Sequence, residues 1–484
     1  RPAMASAPEV GTPLHSQDHV TGVREVALAI ARQAGPSIMS SVLTLSSELV
    51  NVFFIGQFGH RNQLAAVGLG NMMQNVFGLS VGIGLAGAID TLSSQAHGAG
   101  EHRLACIYAQ RARVLLSLQL LWIWPILIFS EVWLVALGQD AEVSRLAGEY
   151  NRVSAPFLLL MFQNFCLRRL MSAFLRPKGA MLCSAVVSLL HIFWVALFVG
   201  HLNLGVAGLG LANGMSWTTR FLLLSFLWYR IAPQLGLERS WVLGFQRESI
   251  EGWREFLKLG VPSFVQTGSE WWFWEICSLV VGYLGSTALA AHVASLQFIT
   301  VPYMIPIGLG QGTCTLVGNA IGAARPLLAR RTALVSLCLI LCIWTITALA
   351  IVALRTPLAM ALSHDAAVQD LIKALLLIYS GQGFFDATQC VMGSILRGLG
   401  NMKVPSVTYL VSYYLVMLPI GIFFAFPCHM GVSGVWWSMG IGTSFAAVLF
   451  AWVIAKTDFQ VLTARALARM QSERESAGRD ADLV

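Results

Sequence analysis

Three acidic residues lie inside long apolar stretches of the second half of the chain. Glu270 and Glu275 are five residues apart in GSEWWFWEIC, and Asp386 lies in GFFDATQ. A charge at the centre of a bilayer costs several kcal/mol, and ionisable residues that are kept there usually serve function. A carboxyl group that is buried away from a fixed cation can change its protonation near neutral pH, as proton coupling requires. We therefore interpret these acids as sites for a proton or a cation.

The two glutamates cannot face the same point on an ideal helix. A helix turns about 100° per residue, so a step of five residues turns roughly 140°. One of them can line a cavity while the other packs against neighbouring helices. For each acid the alternative is a structural hydrogen bond to a facing helix. Glu48 and Asp90, in the first two apolar stretches, are secondary candidates for the same roles.

Three tryptophans flank the glutamates, namely Trp271, Trp272 and Trp274. Together they could form an aromatic wall for a flat organic cation, because each cation–π contact contributes about 0.5 to 2 kcal/mol. Packing against lipid or within the protein core is an equally good interpretation. The aromatic cluster by itself therefore leaves the two roles open.

The composition is that of a membrane protein. Of 484 residues, 56% are hydrophobic and 11% charged, and the mean hydropathy is +0.68. Ordinary globular domains are about one quarter charged. Most basic residues lie in short loops between apolar stretches, which indicates membrane topology rather than nucleic-acid binding. Metal-binding, P-loop and metalloprotease motifs are absent, so the sequence predicts no metal, no cofactor and no enzyme, although the lone His191 does not exclude one.

Apolar stretches of membrane-spanning length predict twelve transmembrane helices, and hence an all-α membrane protein built from two six-helix lobes. The longest internal polar stretch separates the two sets of six. The predicted segments are a cytoplasmic N-terminal segment (1–30), a first lobe (31–229), a cytoplasmic linker (230–255), a second lobe (256–456) and a disordered cytoplasmic tail (457–484). Arg and Lys favour one set of loops by roughly five to one, which predicts that both termini are cytoplasmic.

The two halves repeat one another. The segment Gly84–Gly100 aligns with Gly308–Ala324, and Leu204–Leu209 aligns with Met430–Val435, at a spacing of about 226 residues. Because each half has an even number of spans, the halves have the same orientation and are pseudo-symmetric about an axis along the membrane normal. The cleft between the two lobes is the expected path of the substrate.

Four motifs together carry a family resemblance. They are GLAGAIDTLSSQAHGA from Gly84, EWWFWE from Glu270, VGNAIGA from Val317 and LRGLGNMK from Leu396. Over nearly the whole chain outside its tails, the sequence resembles the eukaryotic type of the multidrug and toxin extrusion (MATE) family.

This resemblance implies a V-shaped pair of lobes that open alternately to either side of the membrane. It also implies export of organic cations, drugs or metabolites in exchange for protons or sodium. The implied partners are a small organic substrate, the coupling ion and the lipid bilayer, for a monomer in the plasma membrane or in a vacuolar or other organelle membrane. The alternative is a flippase of a related superfamily that moves lipids or lipid-linked sugars.

The resemblance assigns site residues and reveals departures. The paired glutamates of the seventh helix correspond to Glu270 and Glu275, and the acid of the tenth helix corresponds to Asp386. Three positions differ from relatives: Gln297 replaces an eighth-helix glutamate of some animal members, Asn51 lies near the first-helix aspartate of bacterial members, and Leu316 replaces an arginine that many members have. Coupling is therefore expected to depend on the second lobe.

Overall fold

The computed structural model describes residues 22–58 and 61–481, and within those ranges its regular secondary structure is helical, without a β-strand. The predicted all-α class is therefore confirmed. The helices of the first half are α1 Val23–Phe58, α2 Arg61–Met73, α3 Ser80–Gly98, α4 His102–Ile128, α5 Ser130–Ala136, α6 Ala141–Ser154, α7 Leu158–Ala173, α8 Pro177–Val195 and α9 Gly205–Ile231. Those that follow are α10 Arg239–Leu243, α11 Trp253–Gly282, α12 Ser286–Gly322, α13 Pro326–Leu362, α14 Ala366–Gly398, α15 Lys403–Leu410, α16 Leu418–Ala425, α17 Gly431–Lys456 and α18 Phe459–Ala481.

Eight helical segments of the described residues are long and apolar enough to cross a membrane. Two of these segments each consist of two helices connected by a π-helical turn. One is α2 and α3 with the turn Gln74–Leu79, and the other is α15 and α16 with the turn Val411–Met417. The other four predicted spans correspond to α7, α9, α11 and α14. These four are helices too, but they are shorter or more polar than the eight, and α11 and α14 carry the three acids.

Buried apolar side chains form two clusters, which follow the two halves of the chain. The first contains residues from Ile55 to Phe256, and the second contains residues from Phe273 to Ala466. The two ends of the chain cross over, because Val26 and Ile30 of α1 belong to the second cluster and Met470 of α18 belongs to the first. Lipid tails are as apolar as leucine, so close packing rather than hydrophobic burial holds such helices together.

The contacts between the halves repeat with the sequence. Gly84 of α3 lies against the backbone of Phe264 in α11, and Gly308 of α12 lies against the backbone of Ile38 in α1. Each residue of one pair therefore has its counterpart, about 225 residues away, in the other. A side chain at either glycine would collide with the facing helix, which is why small residues are favoured there.

A second reciprocal pair joins α3 to α12 at the end where each helix finishes. Gly98 lies against the backbone of Asn319, and Gly322 lies against the backbone of Gln95. The repeated motifs seen in the sequence are thus the surfaces through which α3 and α12 pack. The repeat therefore has a structural basis, because two copies of one small-residue surface pack closely against each other.

The segment between the halves is folded onto the first of them. Gln110 and Arg113 of α4 donate hydrogen bonds to the carbonyl oxygens of Trp241 and Val242, at 2.6 and 3.1 Å. Val242 is buried. The predicted linker, 230–255, therefore includes the end of α9, the short helix α10 and the start of α11.

The prediction of a disordered tail is wrong for the residues that the structure describes. Helix α18 occupies Phe459–Ala481, and its Phe459, Ala466 and Met470 are buried. The polar composition suggested disorder, but the apolar residues recur at helical spacing and pack against the rest of the protein. At the other terminus, residues 1–21 of the predicted N-terminal segment lie outside the described residues, and α1 begins at Val23.

Candidate functional site

Glu270 is hydrogen-bonded within the second half. The hydroxyl of Tyr303 in α12 donates to Glu270 Oε1 at 2.8 Å. Glu270 and Gln266 are four residues apart on α11, so they lie on one face of that helix. The amide of Gln266 and the hydroxyl of Tyr409 in α15 both lie beside Gly393 of α14, because a Cβ added there would be 3.3 Å from Gln266 Nε2 and 3.8 Å from the Tyr409 hydroxyl. Glu270 thus belongs to a polar surface formed by three helices.

Asp386 completes this surface from α14. Gln389 Nε2 donates to Asp386 Oδ1 at 3.1 Å. Asp386 acts electrostatically on Glu270, and both acids act on the hydroxyls of Tyr409 and Tyr413. We name the set Gln266, Glu270, Tyr303, Asp386, Gln389, Tyr409 and Tyr413 the carboxylate network.

The carboxylate network has spare hydrogen-bonding capacity. Within the network, Oε1 of Gln266 is buried without a hydrogen-bond partner among the described residues. The same holds for two neighbours of the network: Oγ of Ser412, next to Tyr413 in the chain, and the hydroxyl of Tyr379, on which Asp386 acts electrostatically. Buried polar atoms are normally paired with protein or ordered water. Tyr413 and Ser412 lie in the π-helical turn Val411–Met417, and such turns occur frequently at functional sites. Unpaired oxygens of this kind can accept a hydrogen bond from water or coordinate a cation.

Glu275 lies in different surroundings from Glu270. It is half-buried, and no hydrogen bond or ion pair joins it to another described residue. Gln297 on α12 is exposed and is likewise joined to no other described residue by a hydrogen bond. The structure therefore brings Glu270 and Asp386 together, but joins neither Glu275 nor Gln297 to them.

The three tryptophans do not share one environment. Trp272 is 38% exposed, and its Nε1 donates to the carbonyl of Val76 in the first half at 3.3 Å. Trp274 contacts Phe273 edge to face and packs against the second apolar cluster. Trp271 is half-buried on the same side of α11 as Trp274, since three residues are close to one helical turn. Trp272 instead connects the two halves.

A second polar cluster lies in the first half around Asn51. Its Oδ1 lies 2.8 Å from Nε2 of His191, and its Nδ2 donates to Oδ1 of Asn213 at 3.1 Å and lies 3.5 Å from Oε2 of Glu48. Asn213 donates in turn to the hydroxyl of Tyr150 at 3.0 Å. Glu48 and His191 are titratable, so this cluster is an alternative position for a coupling proton.

Asp90 lies instead among basic residues that connect helices of the two halves. It forms a buried ion pair with Arg169 of α7, and Arg397 of α14 lies 3.6 Å from the same oxygen. Its neighbour Thr91 donates to the carbonyl of Arg397 at 2.7 Å. Asp90 therefore links the first half to the second half, since α14 belongs to the second apolar cluster.

We expect His191→Leu to lower the melting temperature of the purified protein, because it leaves the buried Asn51 and Ser216 without their imidazole partner. An unpaired buried polar group costs about 1–3 kcal/mol. Thermal unfolding followed by intrinsic fluorescence measures this change. An unchanged melting temperature in His191→Leu would show that these hydrogen bonds contribute little to stability.

Sequence reasoning located the acids but missed their partners. Tyr303, Tyr409 and Tyr413 carried no signal, because aromatic residues are common in any membrane helix. Gln266 and Gln389 could have been found, since they lie four and three residues from an acid and hence on its face.

A family model described as MatE matches the chain twice, over residues 36–197 and 262–423. Both the starts and the ends of the two matches are separated by 226 residues, which is the spacing of the internal repeat. Together the matches cover more than half of the chain.

Similar proteins were found by sequence and by structure. The human multidrug and toxin extrusion protein 1 is 31% identical over 445 residues, which is 91% of this chain and 76% of that protein. The rabbit (Oryctolagus cuniculus) multidrug and toxin extrusion protein 2 is 32% identical, over 91% of this chain and 72% of that protein. The crystal structure of the eukaryotic MATE transporter AtDTX14 superimposes with a TM-score of 0.85 and 24% identity, covering 93% of this chain and 100% of that one.

Proposed function

Because this chain belongs to the MatE family of multidrug and toxin extrusion proteins, we propose that it exports organic, often cationic, compounds in exchange for protons or sodium. It is an integral, multi-pass membrane transporter and not an enzyme. The observation that carries the proposed exchange is the carboxylate network, in which Glu270 and Asp386 interact electrostatically and neither forms an ion pair with a basic residue among the described residues. Arg397 also acts electrostatically on Glu270, but its ion pair is with Asp90.

In the proposed mechanism, a proton and the organic cation compete for the same carboxyl groups. Protonation of Glu270, with Asp386 in the same network, neutralises the site, weakens cation binding and releases substrate outward. The loss of charge also weakens the bond that Tyr303 of α12 donates to α11, so that α11 can bend or shift. Deprotonation on the inner side restores the cation site. Each ligand then shifts one two-state equilibrium in the opposite direction, which yields exchange.

We further propose that the chain has twelve spans in two six-helix lobes, with both termini in the cytoplasm. The twofold match of the family model and the reciprocal glycine contacts support an internal pseudo-symmetry. The placement of Arg and Lys supports the orientation. Within this architecture the first lobe ends with α9, the second begins with α11, and one copy of the chain is sufficient for transport in a plasma or organelle membrane.

A flippase for lipids or lipid-linked sugars is the rival function. The relatives are extrusion proteins by name, and the carboxylate network suits a small cation better than an anionic head group. Efflux therefore remains the better proposal.

The test is efflux of a fluorescent organic cation from proteoliposomes that contain the full chain. We expect an inwardly directed proton gradient, outside acidic, to accelerate efflux several-fold over liposomes without a gradient. If only a sodium gradient accelerates efflux, sodium and not the proton is the coupling ion. If neither gradient drives efflux, while a fluorescent lipid is scrambled faster than in empty liposomes, the antiport proposal fails and the flippase is favoured.

A further inference from the structure

Helix α18 is bound to the first half by buried polar contacts. Arg111 Nη1 lies 2.6 Å from Glu473 Oε2, and the hydroxyl of Tyr108 donates to the other oxygen of Glu473 at 3.0 Å. The side chains of Arg111 and Glu473 are only 8% and 10% exposed. One turn earlier, Arg469 Nη2 donates to Oε1 of Gln95 at 2.6 Å. Removing one partner of a buried ion pair is strongly destabilising, so these contacts fix α18 in place.

The apolar face of the same helix contacts both halves. Met470 belongs to the first apolar cluster, and Leu467 packs against it. Phe459 and Ala466 belong to the second cluster, and Leu462 packs against that one. These residues recur at the three- and four-residue spacing of one helical face. Helix α18 is thus a single amphipathic helix that is shared by the two halves.

Helix α18 lies at the end of the contact between α3 and α12 where both helices finish. Gln95, which accepts the bond from Arg469, also lies against Gly322 of α12. Its Nε2 donates to the carbonyl oxygen of Gly398 in α14 at 2.8 Å. Any movement that separates α3 from α12 at this end must therefore break the contacts of α18 with one of the halves.

We propose that α18 is a latch. While it is docked, it holds the two halves together at the end where α3 and α12 finish, and its release from Arg111 and Gln95 precedes opening at that end. In this proposal, the release of α18 is the step that limits the rate of transport. The docking of α18 stands independently of any transported compound, whereas its control of rate rests on the proposed function.

The docking is tested by hydrogen–deuterium exchange of the full chain in lipid nanodiscs. We expect Glu473→Gln to accelerate exchange in the backbone of α18 by about tenfold, because the buried pair with Arg111 is lost. The matched control is Arg474→Gln on the same helix, since its pair with Glu101 is 75% and 39% exposed and such pairs contribute little. Unchanged exchange in Glu473→Gln would overturn the latch.

The control of rate is tested with the same variants in proteoliposomes. We expect Glu473→Gln to raise the initial rate of gradient-driven efflux by about threefold or more, while Arg474→Gln remains within about twofold of the original protein. Faster exchange in α18 without a change in the efflux rate would contradict the latch but not the antiport. If Glu473→Gln does not fold, Arg469→Leu is the second variant, because it removes the bond to Gln95 and keeps the pair between Arg111 and Glu473. It should accelerate exchange in α18 by about threefold. No acceleration in that variant would also overturn the proposal.

Discussion

Replacing Glu270 by Gln is expected to reduce pH-driven efflux by about tenfold or more, a loss within the usual range of coupling between two ligands. The substitution keeps the size of the side chain and an oxygen that can accept the bond from Tyr303. It removes the carboxyl group that we propose exchanges a proton. Initial rates of efflux from proteoliposomes, with and without a pH gradient, measure the loss directly.

Two further variants make this expectation specific. Asp386→Asn should also impair driven efflux, because Asp386 acts electrostatically on Glu270 and shares the carboxylate network. Glu275→Gln should have a smaller effect, since no hydrogen bond or ion pair joins Glu275 to another described residue. The opposite ranking, with Glu275→Gln inactive and Glu270→Gln normal, would move the coupling site one and a half turns along α11 and refute the assignment.

The acids of the candidate site could be selected from the sequence because each lies within an apolar stretch. A carboxyl group within an apolar stretch is visible in the sequence alone. The 140° step between Glu270 and Glu275 also predicted that the surroundings of the two side chains differ. The hydroxyl groups of Tyr303 and Tyr413 could not be assigned in this way. They come from helices far apart in the chain, and which of their faces turns toward Glu270 depends on helix packing and on a π-helical turn.

The fold was predictable where it repeats and less so where it does not. The spacing of Gly98 and Gly322 revealed two copies of one surface, and the structure brings these copies into reciprocal contact. Helix α18 has no counterpart within the repeat. Its amphipathic pattern is interrupted by charges such as Glu473, which is buried against Arg111 and Tyr108 of α4.

Gly322→Ala is expected to destabilise the protein by about 1–3 kcal/mol, the usual cost of overpacking a close contact. A methyl group at this position would meet the backbone of Gln95 and of Ala99. Backbone atoms in the facing helix cannot rotate away as a flexible side chain can, so α3 and α12 must separate. Thermal unfolding of the purified protein measures the loss of stability.

Gly381→Ala in α14 is the matched control, because nothing lies within 4 Å of the position of its added carbon. Alanine favours a helix over glycine by up to about 1 kcal/mol, so this variant should be neutral or more stable. Gly98→Ala, the reciprocal substitution against Asn319, should cost about as much as Gly322→Ala. The double variant should cost less than the two single costs combined, because a single separation of α3 from α12 relieves both collisions. Full additivity would instead mean that the two contacts relax independently and that the halves do not meet there as one surface.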